Sequence, residues 1–278
     1  MASDLASDWQ ELSRWRGCIV GPVEILESID STNLELLRRL EAGRARPGFA
    51  LLARMQEKGC GRHGRSWVSH LDRCVALSVA MPSGSTQVLS SITMLGAVCV
   101  HEVLKSLAVP DPQLKWPNDV LCRNRKLSGV LAQARSSGST LIATVLGIGI
   151  NVSQTEHEFP ESLRKTAISL SMLGLRRSPP EVATRLLEEL DRRLQDPGGA
   201  ESWVQAWARS LGLFRGPVEI EQPDKVLRGI VQEVGVDGSI RLLPEHSGDT
   251  VTIEATKVQR LSILGSANGP RETAKQPP

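Results

Sequence analysis

Residues 126–152, KLSGVLAQARSSGSTLIATVLGIGINV, read as two strands around a turn. Both arms are runs of apolar and β-branched residues, and SSGS (136–139) supplies turn chemistry between them. With SSGS as the loop, Arg135 pairs with Thr140 and Lys126 falls opposite Gly149. Further strands belong beside this pair. FALLARMQ (49–56) and CVALSVAM (74–81) read as buried strands joined by a glycine-rich basic loop, and IVGPVEILESI reads as extended. QLKW (113–116) is short and extended, because Pro117 restricts Trp116 to β or polyproline geometry.

Helices separate the strands. DSTNLELLRRLEAG predicts one with Thr32 as cap, Glu35 completing a T-x-x-E capping box, an apolar stripe of Leu34, Leu37 and Leu40, and Gly43 as its stop. Residues 90–108 predict a long buried helix. SPPEVATRLLEELDRRL opens with Ser178 as cap and Pro179 in the first turn, and AESWVQAWARSLG follows. From about residue 213 the texture changes to short alternating segments, PVEIEQ, KVLRGIVQEV, SIRLLPE and TVTIEATKVQRLSI, with VDGS and HSGD at turns. That spacing predicts a small β-barrel or sandwich. The expected organisation is a polar lead-in over 1–24, an α/β domain over 25–212, a β domain over 213–264 and a disordered tail over 265–278.

Composition excludes several classes. Lys and Arg number 33 against 31 Asp and Glu, so no global field draws polyanions and any anion site must be local. The five cysteines, Cys18, Cys60, Cys74, Cys99 and Cys122, are odd in number and contain no C-x-x-C pair, which argues against a disulfide framework or a zinc site. The first residues hold no apolar core of a signal peptide, and no run spans a bilayer. A reduced, cytoplasmic protein without membrane contact is the expectation.

Four stretches carry candidate chemistry. GCGRHGRSW (59–67) has three glycines in six residues, which let backbone N–H groups approach an anion, and Arg62 and Arg65 add planar contacts to carboxylate or phosphate. Trp67 offers a face to a flat heterocycle; the alternative is an ordinary solvated loop. KWPND (115–119) puts Lys115, Asn118 and Asp119 at the mouth of a strand, where plain turn chemistry is the alternative. In RKLSG (125–129), Lys126 facing glycines 147 and 149 has open space before it, as a clamp for phosphate or carboxylate; an aggregation-blocking edge lysine is equally compatible. Ser31, Thr32 and Asn33 start a helix, where one can cap and two are spare for a polar ligand.

In this order and at these intervals, DSTN (30–33), Gln56, GCGRHGRSW, KWPND, KLSGVL (126–131) and GIGIN (147–151) resemble the biotin protein ligase family over about residues 25–262. The resemblance implies a catalytic domain with a mixed sheet, related to class II aminoacyl-tRNA synthetases, and an SH3-like C-terminal β-barrel. It implies activation of biotin by ATP, with Mg2+, to biotinyl-5′-AMP, then transfer of biotin to a lysine of a biotin carboxyl carrier domain. Lys126, Arg62 and Asp119 take the catalytic positions. Ser31, Thr32, Asn33, Gln56, Cys60, Gly61, Arg62, Lys126 and Gly129 fall toward biotin, and Arg65, Trp67, Lys115, Asn118 and Asn151 toward ATP. No resident metal site is implied, and the 57–67 segment is expected to order over bound ligand.

Two departures stand out: Cys60 replaces the family's first loop arginine, and Gln133 stands where a glutamate is frequent. Some members carry an N-terminal winged helix; residues 1–24 are too few for one, so no DNA binding is expected. An exposed strand can support a homodimer or carrier docking, without a choice between them. The rival readings are a lipoate or octanoate ligase or transferase, and a non-catalytic biotin- or RNA-binding protein.

Overall fold

The computed structural model describes residues 2–82, 88–137 and 140–264. A helix, α1 (Ala2–Ser13), leads into strand β1 (Val23–Ile29), helix α2 (Thr32–Glu41) and strand β2 (Ala50–Gln56). The basic loop carries two short strands, β3 (Gly59–Cys60) and β4 (Ser66–Trp67), and β5 (Cys74–Met81) precedes the long helix α3 (Val88–Ser106). Then come β6 (Gln113–Lys115), β7 (Asp119–Cys122), β8 (Arg125–Ser137), β9 (Thr140–Asn151), the short α4 (Glu161–Arg164), α5 (Pro179–Leu194) and α6 (Gly199–Leu211). The chain ends in β10 (Val218–Glu221), β11 (Val226–Val234), β12 (Ile240–Pro244), β13 (Val251–Ile253) and β14 (Arg260–Ile263).

Seven strands form a mixed sheet in the order β1-β2-β5-β9-β8-β7-β6, in which β1 and β2 are parallel and the other pairs antiparallel. Alternation decides its two faces. Val75, Leu77, Val79 and Met81 of β5 join Leu146, Ile148 and Ile150 of β9 in a core shared with α3, α5 and α6. The opposite face carries the small partners of that alternation: Ala76 and Ser78 on β5, Gly147 and Gly149 on β9. Toward the β1 side it is covered by α2, whose Leu36 and Leu37 pack on Leu51, Ala80, Ala143 and Val145. Large residues behind and small ones in front leave a trough beside α2.

The second sheet is antiparallel, ordered β13-β12-β11-β10-β14, and its inward Val218, Ile220, Val231, Ile240 and Leu242 are continuous with the main core. The expected small barrel is therefore a five-stranded sheet, with β13 and β14 at its two edges and no closure between them among the described residues.

Several expectations change. The lead-in holds α1, whose Trp9 and Leu12 are buried and whose Trp9 Nε1 donates to Asp72 Oδ1 at 2.8 Å. Ser31, not Thr32, is the N-cap residue of α2, and it makes no side-chain cap bond. The predicted capping box is absent because the Thr32 hydroxyl is engaged across the sheet, and the buried stripe of α2 is Leu36 and Leu37. The β8–β9 register also differs: Gly129 pairs with Gly149 and Arg135 with Ala143, with an irregularity at Ser136 that a turn placed by composition does not anticipate. Residues 138–139 of the proposed turn, and the tail 265–278, lie outside the described residues. Ser178 does cap α5, accepting from the Glu181 backbone N–H, with Pro179 beginning the helix.

Candidate functional site

Small residues in neighbouring strands fall in rows across the trough. In one row Ser78, Gly147 and Leu131 are register partners; in the next, Ala76, Gly149, Gly129 and Asp119. Gly147 and Gly149 are required by what lies on them. A Cβ on Gly147 would stand 2.2 Å from Asn33 Oδ1, and one on Gly149 would stand 2.5 Å from the Trp67 ring. The helix start and the basic loop therefore dock on a floor of bare backbone.

At the α2 end, Asn33 spans its row: Nδ2 donates to Leu131 O at 3.2 Å and to Gln133 Oε1 at 2.8 Å, while Ser78 Oγ lies 2.6 Å from Asn33 Oδ1. Gln133 thus serves as an uncharged acceptor, and the absent glutamate charge is not needed for this contact. Thr32 directs both its backbone N–H (2.8 Å) and its hydroxyl (3.0 Å) toward Gln56 Oε1, which leaves the Gln56 amide nitrogen facing away from Thr32. Ser69 Oγ accepts from the Gln56 backbone N–H and tethers the far root of the loop to β2.

The loop closes on itself: Gly59 pairs with Trp67, and the Gly61 N–H donates to Arg65 O at 2.6 Å. This hairpin lays the indole over Gly149, with Nε1 enclosed beside the Cys74 thiol and no well-aligned hydrogen bond. Arg62 is half-buried and donates to Asn118 Oδ1 at 3.3 Å. Burial pulls its guanidinium below the ordinary arginine range, Asp119 opposes that and Arg65 adds to it; an arginine so placed remains a cation at any physiological pH. Asn118 is anchored in turn, donating from Nδ2 to Val130 O at 2.8 Å.

Lys126 reaches the same place by a route that register alone does not give. Its strand partner is Leu121, not Gly149, and β8 is bulged there, with Ser128 opposite Val120 and Lys126 opposite Leu121. Three residues apart on a regular strand, Lys126 and Gly129 would point to opposite faces; the extra residue turns Lys126 to the trough while Leu127 is buried in the core. Lys126 Nζ lies 2.7 Å from Asp119 Oδ1, an ion pair without hydrogen-bond alignment, and 5.9 Å from the Trp67 ring centroid.

The trough opens into a cleft of about 2710 Å³ lined by all the residues singled out above: Ser31, Thr32, Asn33, Gln56, Cys60, Gly61, Arg62, Arg65, Trp67, Lys115, Asn118, Asp119, Lys126, Gly129 and Asn151. Arg62 and Lys126 therefore share one cavity. Asn151 meets the cleft but spends its amide on protein, donating to Lys126 O and Ile168 O and accepting from Gln154. Eight cations line the cleft (Arg62, Arg65, Lys105, Lys115, Lys126, Arg209, Arg215, Arg260) against three acids (Asp111, Asp119, Glu221). The near-neutral chain concentrates positive charge around this cleft, a local field that attracts anions. Lys105 and the arginines at the α6 and β14 end escaped sequence reading, because only the fold brings them to the cleft. Ser69 and Ser78 escaped it too; for Ser78 the one signal is a hydroxyl inside an apolar strand.

Among the described residues, no cluster of three or more His, Cys, Asp or Glu side chains could hold a metal ion, and no helix is long and apolar enough to cross a membrane.

Residues 25–151 match the biotin/lipoate A/B protein ligase family. The chain is similar to the biotin–[acetyl-CoA-carboxylase] ligase of Mycobacterium tuberculosis, 33% identical over 259 residues that cover 90% of this chain and 91% of that one. It is 30% identical over 232 residues to the bifunctional ligase/repressor BirA of Escherichia coli, covering 82% and 70%. In fold it matches the biotin protein ligase from Aquifex aeolicus in complex with biotin and ATP, at 24% identity and a TM-score of 0.66, over 87% of this chain and 98% of that chain.

Proposed function

The chain belongs to the biotin protein ligase family, and on that premise we propose that it activates biotin with ATP and transfers it to a lysine of a carboxylase's biotin carboxyl carrier domain in the cytoplasm. The observation that carries this reading is the meeting of Arg62, Lys126 and Asp119 over one glycine floor.

The chemistry demands such a meeting. A carboxylate oxygen of biotin attacks the α-phosphorus of ATP, the bond to the β-phosphate oxygen breaks, and pyrophosphate leaves with the electron pair. Two like charges brought to about 4 Å repel by roughly 4 kcal/mol at an effective dielectric of about 20. Arg62 and Lys126 offset that repulsion where charge accumulates on the phosphate. Lys126 must turn from Asp119 to do so, and Asp119 becomes the acceptor that orients the incoming lysine. Its amine attacks the acyl carbon, AMP leaves with the bond electrons, and a proton is lost. Magnesium enters with ATP as part of the substrate: phosphate and water oxygens suit it, and one carboxylate in the centre fits an ion that takes few protein ligands.

Ser31, Thr32, Gln56 and the backbone of Gly61 and Gly129 form the biotin end in this reading, with Asn33 as their support. Arg65, Trp67, Lys115 and Asn118 form the nucleotide end. The hairpin of β3 and β4 covers the adenylate, whose mixed anhydride must be kept from water. Supplying ATP with biotin or with lipoate and following pyrophosphate release tests the proposal: release with biotin supports it, and release with lipoate alone selects the rival.

A further inference from the structure

We propose that Arg125, which does not itself line the cleft, is a positioning residue: it fixes the backbone of Lys126 and so holds the lysine ammonium over the reacting phosphate. The inference rests on the ligase reading above and adds to it the device that aims one of its two cations.

Lys126 stands where the main sheet gives out. Pairing of β8 with β9 begins at Ser128, so Lys126 has no ladder partner on that side. Leu121 of β7 pairs with it across the bulge, and a single parallel bridge to Ala167 takes the place of β9. In that bridge the Lys126 N–H donates to Thr166 O at 2.6 Å, and the Ile168 N–H donates to Lys126 O at 2.9 Å. The place of Lys126 is therefore as firm as segment 164–168.

That segment follows α4, four residues of helix and too short to be rigid by itself. Side chains fasten it at both ends. Downstream, Asn151 Nδ2 donates to Ile168 O at 3.0 Å. Upstream, Arg125 spreads its guanidinium over two carbonyls, with Nε donating to Ala167 O at 2.8 Å and a terminal nitrogen donating to Arg164 O. A planar cationic fork is a stronger and more directional tie than one neutral bond. Neighbours in a strand point to opposite faces, so Arg125 is turned to this tie while Lys126 enters the cleft.

The Lys126 side chain has little else to steer it. Its stem lies on bare backbone, where a Cβ on Gly129 would stand 2.9 Å from Lys126 Cε. Asp119 holds the ammonium, but that ion pair must open for the reaction. A shift of the Lys126 backbone then passes to the tip, and a misplacement of about 1 Å can cost roughly 100-fold in rate.

The test is a double-mutant cycle on the full chain: wild type, Arg125→Ala, Lys126→Ala and the pair. Each is supplied with biotin and ATP, and pyrophosphate release gives kcat. With Lys126 present, Arg125→Ala should lower kcat about tenfold. With Lys126 absent, the same substitution should change kcat less than about twofold, because nothing is left to position. A merely structural role would lower kcat by one factor in both backgrounds. Arg125→Lys, which reaches one carbonyl instead of two, carries the same cycle with a smaller first factor should Arg125→Ala not fold. Equal factors in both backgrounds, or wild-type kcat in the Arg125 variant, would overturn the inference while leaving the ligase reading intact. A wild type that releases no pyrophosphate with biotin would instead overturn that reading and, with it, the inference.

Discussion

Gly147→Ala probes how the helix start is seated. A Cβ there would stand 2.2 Å from Asn33 Oδ1 and 2.7 Å from both Cγ and Nδ2, so the amide has to leave. It is no flexible chain end: three contacts hold it, to Leu131, Gln133 and Ser78. Neutral hydrogen bonds contribute about 0.5–1.5 kcal/mol each, and replacing glycine by alanine in a strand recovers roughly 0.5 kcal/mol, so the net loss is about 1–4 kcal/mol. For a chain of this size that lowers Tm by roughly 3–15 °C. Thermal unfolding followed by circular dichroism reads it directly. The cause is checked by adding Asn33→Ala, which surrenders the same bonds in advance: the double variant should be hardly less stable than Asn33→Ala alone. An unchanged Tm, or strictly additive losses in the pair, would refute the reasoning.

Asp191 sits near the end of α5 and accepts from three backbone N–H groups, those of Cys18, Ile19 and Val20, at 3.0, 2.7 and 2.8 Å. Asp191→Ala should destabilise by about 3–5 kcal/mol in urea titrations, since three donors lose a charged acceptor. Burial opposes ionisation of this carboxyl, yet those N–H groups hold its pKa below the usual aspartate value. Its contribution is therefore complete above about pH 4 and is lost as pH falls through the folded value, so the gap between wild type and Asp191→Ala should narrow in acid. Cys60→Arg adds a cation to the loop and should slow dissociation of the acyl-adenylate, measured by stopped-flow tryptophan fluorescence; equal rates would show that Cys60 costs the loop nothing.

What was legible in the sequence was whatever local chemistry decides. The Ser178–Pro179 helix start and the strands around CVALSVAM read directly, because capping and alternation act within a few residues; the glycines of GIGIN, read as open space before Lys126, are instead covered by Asn33 and Trp67 from distant segments. Thr32 misled because its hydroxyl is claimed from 24 residues away by Gln56, a partner that no capping pattern encodes. Lys126 reaches the cleft through a register other than the predicted one: the bulge at Leu127 aims it, and a bulge leaves no mark in hydrophobic periodicity. α1 was missed although Leu5, Trp9 and Leu12 are spaced four and three apart, a helical stripe hidden by the polar residues around it. The arginines at the far end of the cleft come from α6, the turn that follows it and the last strand, and only tertiary structure unites them.

The convergence of Arg62 and Lys126 on one reacting phosphate is tested most directly by transfer of labelled biotin to a carrier domain, wild type beside Lys126→Ala. Wild type should label the carrier in an ATP-dependent manner, while Lys126→Ala, at unchanged Tm, should lose about 100- to 1000-fold in kcat. Labelling by Lys126→Ala within about twofold of wild type would contradict the account, since a lysine removed from a charge-stabilising position cannot be silent.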